Sequence, residues 1–131
     1  MAKGLERHRE RKTELSSFGK NLVRRSGSSC ELCGSVGTTL AIYEFPPVPK
    51  DPDYDRCLII CETCREQLDN PRKLHADHWR CLNNTVWSEV AVIQALSIRM
   101  LKTLAPENSW AEELLEQVYP DPEVEEMADS F

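Results

Sequence analysis

The sequence predicts a small α+β domain, on three observations. Two C-x-x-C pairs, Cys30-Glu31-Leu32-Cys33 and Cys61-Glu62-Thr63-Cys64, stand 27 residues apart. Two short apolar, β-branched stretches lie between them and read as a hairpin. Beyond them, apolar residues recur at helical spacing over residues 86–104. Four thiolates in two such pairs can close a tetrahedral site with no open position. Cys30, Cys33, Cys61 and Cys64 are therefore the expected metal ligands, and Zn²⁺ the expected cofactor. Four parts follow in order: a basic N-terminal helix or arm over 1–29, a zinc module over 30–70, a helical part packed on it over 71–119, and an acidic tail over 120–131.

Each element has its own local reason. Residues 5–24 read as a helix with a weak apolar face of Leu15, Phe18, Leu22 and Val23, whose charged first half is expected to stand in solvent. Ser26-Gly27-Ser28-Ser29 breaks it. Residues 30–34 should form a tight knuckle with backbone N–H groups facing sulfur, and Gly34 suits a position needing positive φ. Residues 38–45 alternate well enough for a strand, which Pro46-Pro47-Val48-Pro49 ends because proline cannot donate to a ladder. Residues 57–60 read as the return strand. A short helix follows over 61–68, whose N-terminus favours negative sulfur. The long helix over 86–104 has Asn84 and Thr85 as N-cap candidates. Its apolar face nearly encircles it, so burial on several sides or self-association is expected. Ser109-Trp110-Ala111-Glu112 is a capping-box pattern opening a helix through Tyr119. The acidic end reads as a short helix or a tail.

Composition narrows the class. The chain has 131 residues and a net charge of −6. That charge is unevenly spread. Residues 1–29 carry eight Lys or Arg against three Glu, whereas residues 106–131 carry nine Asp or Glu and no Lys or Arg. A basic arm opposite an acidic tail leaves nucleic acid open as a partner. The charged N-terminus is unlike a secretory signal, and no run of 18 apolar residues exists, so a cytoplasmic chain without membrane contact is expected. In that reducing setting, six cysteines suit metal or free thiols better than three disulfides.

Knuckle, hairpin and helix form the order of a treble-clef zinc finger, and residues 30–67 resemble the zinc-stabilised form of HNH endonucleases. That resemblance implies catalytic histidines where Tyr43 and Glu44 stand, an Asn where Cys57 stands, and a His where Arg65 stands. The scaffold is thus expected to be HNH-like and the nuclease site absent. A closer resemblance spans residues 22–119. The stretches CELCGS, YEFPPVP, DRCLIICETC, HADHWRCLN and VWSEVAVIQALSIRML look like the N-terminal region of PhnA-type proteins, named for alkylphosphonate utilisation. The resemblance supplies no catalytic residue.

Other residues leave alternatives open. His75, His78 and Cys81, with Asp77, could hold a second metal. Alternatively, this segment is a linker in which Trp79 and Cys81 pack inward. Cys57 could compete as a ligand, pair with Cys81, or point into the core. Trp79, Trp87 and Trp110 read as core anchors. Arg7, Arg9, Arg11, Lys12, Lys20, Arg24 and Arg25 could neutralise phosphates, or could form a solvated face; the acidic tail could fold back on them. The reading that results is a non-catalytic zinc-binding adaptor for protein or nucleic acid. A diverged hydrolase using Glu44, Asp77, His75 and His78 on phosphoesters or phosphonates is the alternative. A nucleic-acid binder acting through the basic arm is another.

Overall fold

The computed structural model describes residues 2–130, with side chains described from His8 onward. The Arg7 side chain of the basic arm lies outside that range. Helix α1 spans Ala2–Ser26, and the strands β1 and β2 span Leu40–Glu44 and Cys57–Cys61. Then come α2 (Glu62–Asp69), α3 (Leu82–Thr85), α4 (Ala91–Leu104), α5 (Ser109–Gln117) and α6 (Pro122–Asp129). The architecture is α+β: one antiparallel hairpin with helices on both sides.

The hairpin register pairs Leu40 with Cys61 and Glu44 with Cys57. One end of the ladder therefore carries a cysteine of the second pair, and the other carries Glu44. All five residues of β2 are buried, which a continuous Cys-Leu-Ile-Ile-Cys run requires. Leu58 and Ile60 join a main core with Leu32, Phe45, Trp79, Leu82, Val86 and most of α4. Cys57 and Ile59 face the other way, into a second cluster with Leu22, bordered by Leu15, Phe18, Val23 and Tyr54. Helix α1 is thus docked on the hairpin and is no free arm.

Two ion pairs fix that docking. Arg11 donates to both Glu44 carboxylate oxygens, at 2.8 and 2.6 Å, and to the Pro49 carbonyl at 3.0 Å. Arg25 forks onto Glu31 at 2.8 Å through each of two nitrogens and also reaches the Cys57 carbonyl. The half of α1 expected to stand in solvent is thereby tied to the far end of the hairpin. Its C-terminus closes as a Schellman turn: Gly27 has φ +65°, and the Ser28 N–H donates to the Val23 carbonyl.

Two expectations need correction. The long helix begins at Ala91, not at residue 86, and neither Asn84 nor Thr85 caps it. Val90 is the extended N-cap residue; its N–H donates to the Ser88 hydroxyl, and the Gln94 side chain donates to the Val86 carbonyl. Val86 is buried, so its apolar signal is real, but it packs from a separate turn. The capping box at Ser109 does not form: Asn108 is the N-cap residue, and its side chain donates back to the Leu104 carbonyl. The acidic end, read as a short helix or a tail, takes the helical form. It forms α6, which packs on α4 through buried Val124 and Ala128. The apolar surround of α4 is supplied from within the chain by β2, α3, α5 and α6.

Candidate metal centre

Each cysteine pair sits where local structure turns backbone donors toward sulfur. In the first, the N–H groups of Leu32 and Cys33 point at Cys30 Sγ, both at 3.4 Å. Gly34, at φ +77°, lets its own N–H reach the Cys30 carbonyl at 2.9 Å. A side chain there would be strained in that left-handed conformation. In the second, Cys61 ends β2 and caps α2, accepting from the Cys64 N–H at 3.4 Å. Such donors favour the thiolate form that a metal needs.

The four sulfurs converge within 4.8 Å of one another. Cys30 and Cys64 sulfurs lie 3.7 Å apart, and those of Cys33 and Cys61 3.6 Å apart. A tetrahedron with metal–sulfur bonds of about 2.3 Å has edges of about 3.8 Å. A disulfide would need about 2.05 Å. The cluster therefore fits a metal ion and not a pair of disulfides, and all six cysteines are free thiols. Three of the four cysteines are buried; Cys33 is half-buried, with Ser35 Oγ 3.2 Å from its sulfur.

The electrostatics point the same way. A hydrogen bond from Cys64 outweighs burial and, with backbone N–H donors, pushes Cys30 down to about 4. The same shared proton, together with burial, pushes Cys64 up. Burial raises Cys33. Without metal, the cluster is a set of crowded thiols sharing charge.

Glu31 is the residue that sequence reasoning missed. It stands inside the first C-x-x-C, yet its carboxylate accepts from the Ile59 N–H at 2.9 Å as well as from Arg25. Its own N–H donates to the Ile59 carbonyl at 2.9 Å. The knuckle is thus clipped to the middle of β2, and α1 is clipped to the knuckle. A Glu six residues after an Arg carries no pattern that would announce this contact.

The segment carrying His75, His78 and Cys81 divides its roles. His78 Nε2 lies 3.2 Å from Cys64 Sγ, so it flanks the sulfur cluster; burial lowers its pKa. His75 is exposed, with its backbone N–H on Gln67 Oε1. Cys81 packs against the main core, where burial pushes its thiol up to about 12. Among the described residues, the four cysteines are the metal-capable group that converges; His75, Asp77, His78 and Cys81 do not. Cys57 points into the second core cluster, its thiol donating to the Asp53 carbonyl, and burial pushes it up to about 11.

Trp79 is fully buried, and its indole N–H donates to Gln67 Oε1 at 2.8 Å. Trp110 is half-buried beneath the Arg80 guanidinium, 4.7 Å from the ring centre. Trp87 departs from the expected core role and is half-exposed in the turn before α4. Tyr43 is partly buried against the main core, and burial raises its pKa. Arg65 is exposed and lies 3.9 Å from Asp69.

Comparison with known proteins finds no matching family model, no matching curated protein and no matching solved structure.

Proposed function

We propose that Cys30, Cys33, Cys61 and Cys64 hold one structural Zn²⁺, and that the chain is a non-catalytic binding module whose metal rigidifies the hairpin and the helices around it. The sulfur–sulfur distances carry this reading, because they match the edges of a tetrahedron of thiolates around zinc. Four sulfur ligands leave no position for water or substrate, so the bound ion would supply folding energy and no Lewis acid. Six free thiols suit a reducing compartment, and a cytoplasmic setting is part of the proposal. No helix among the described residues is long and apolar enough to cross a membrane. Kinship with PhnA-type proteins rests on the quoted sequence words alone, and the proposal takes no phosphonate chemistry from it.

The hydrolase alternative lacks a converging acid–base set. Glu44 pairs with Cys57, at the end of the ladder away from Cys61. Four residues of strand separate it from that end by about 13 Å. Both its oxygens are engaged by Arg11. His78 sits at the opposite end, against Cys64. A base must reach its proton within hydrogen-bond distance.

Elemental analysis of the purified chain tests the zinc proposal. One zinc per chain is expected, falling to none in a Cys30→Ser/Cys61→Ser variant. Cobalt substitution should give the intense visible bands of tetrahedral thiolate coordination. Two metals per chain, or a five- or six-coordinate cobalt spectrum, would overturn the closed structural site.

A further inference from the structure

We propose that the outward face of α1 is a sequence-independent docking strip for the phosphate backbone of duplex nucleic acid. This rests on the reading of the chain as a binding module and names the surface that binds. The cations of α1 fall into two sets. Arg11 and Arg25 turn toward the hairpin and are consumed by Glu44 and Glu31. Arg9, Lys12, Lys20 and Arg24 are exposed and form no ion pair among the described residues. At 100° per residue these four fall within an arc of about 120°, opposite Leu15, Phe18 and Leu22, and span about 22 Å of helix axis. The inward pairs and the second core cluster hold this row of charges rigid, so little ordering is needed on binding.

The chemistry of the strip selects among anionic partners. Within that arc the exposed residues between the cations are Thr13 and Ser16, whose hydroxyls bond back to helix carbonyls; exposed Glu10 and Glu14 fall outside it, about 40° and 80° beyond its edge. A protein-binding hot spot is centred on buried aromatic or apolar anchors; between Arg9 and Arg24 the apolar residue on this arc is Val23, half-buried against the second core cluster. Single-strand binders stack bases on aromatic side chains, and none is exposed here. What remains is a one-sided row of charge, spaced about 4.5, 12 and 6 Å along the axis, which suits a duplex backbone contacted without fixed register. Acidic α6 packs on α4, whereas α1 packs on β2, so the acidic end and the strip sit on different elements.

Four neutralised phosphates give a slope of about −3.6 in log K against log salt, so affinity should fall about 150-fold between 50 and 200 mM salt. The test is fluorescence anisotropy of a labelled 20-base-pair duplex with the zinc-loaded full chain. The Arg9→Ala/Lys12→Ala/Lys20→Ala/Arg24→Ala variant should melt like the parent, lose at least 20-fold in affinity at 50 mM salt, and show a slope near zero. Lys102→Ala, outside the strip, should bind as the parent does. Absence of binding at 50 mM salt with 100 μM protein would overturn the proposal, as would undiminished binding by the fourfold variant. So would equal affinity for poly-glutamate or for phosphatidylserine vesicles at matched charge. Concentration-dependent dimers lost in the fourfold variant, with no duplex binding, would assign the strip to the acidic pole of a second copy and overturn it too. Zinc content is read separately: one zinc per chain with no duplex binding refutes the strip alone, and duplex binding without zinc refutes the metal proposal alone.

Discussion

Replacing Glu31 with alanine is expected to destabilise the domain by about 3 kcal/mol, although the residue neither binds metal nor fills the core. The magnitude follows from what the carboxylate satisfies. Its side chain is 3% exposed and takes two hydrogen bonds from Arg25 and one from the Ile59 N–H. Ile59 is buried, so its N–H would lose its partner at about 1–3 kcal/mol. Arg25 keeps the Cys57 carbonyl and is one-fifth exposed, so it rehydrates in part and contributes about 1–2 kcal/mol more. Arg25→Ala alone should cost about 2 kcal/mol, and the double variant should fall short of the sum by about 1–2 kcal/mol, because the two share one interaction. Glu31→Gln keeps an acceptor for Ile59 and should lie between parent and alanine. The assay is urea unfolding at fixed, saturating zinc, since metal bound only to the folded state adds its own stability. A loss below 1 kcal/mol for Glu31→Ala, or strict additivity with Arg25→Ala, would refute the idea that this carboxylate clips knuckle, strand and helix together.

Four further outcomes follow from the same structure. Chelation of the proposed zinc should melt the tertiary fold, seen as loss of the near-ultraviolet signal of Trp79, because a structural zinc would contribute roughly 10–16 kcal/mol; a chelated chain that keeps its native spectrum would contradict this. Gln67→Leu should cost about 2 kcal/mol in thermal or urea melts, because the buried Trp79 indole and the His75 N–H both lose their acceptor. Cys57 and Cys81, pushed up by burial to about 11 and 12, should resist iodoacetamide at pH 8 in the folded protein and react after chelation. The sign is the same for stability: above the ordinary thiol pKa of about 8.5 the unfolded chain sheds protons that the folded chain retains, so stability should fall as pH rises from about 8.5 to 11. Asp129→Asn should change stability by less than about 0.5 kcal/mol, since its pair with Lys102 is exposed, whereas truncation before Pro122 should be clearly destabilising because it uncovers α4.

The two C-x-x-C pairs, the strand between them and the return strand are legible in the sequence because each depends on near neighbours. Spacing brings Cys30 and Cys33 onto one turn, Gly34 permits that turn, and the proline run ends β1. The long helix was legible in its interior but not at its start. Val86 is as apolar as a helical core residue, and periodicity alone cannot tell a buried turn from a helix, whereas the Ser88 and Gln94 contacts that end the turn are visible only in three dimensions. The same limit applies to α6. Its acidic composition left helix and tail both open, and two buried residues, Val124 and Ala128, dock it on α4 as a helix.

By itself the sequence determined the α+β class, the order of knuckle, hairpin and helix, and which four cysteines come together, since these are set by local spacing and backbone preference. Only the tertiary structure decided which charges are spent and which are free. Arg11 meets Glu44 across 33 positions, and Glu31 meets Ile59 across 28. No periodicity links residues so far apart; the hairpin register and the docking of α1 bring them together. That docking divides one basic segment into two cations that hold the fold and four that face outward.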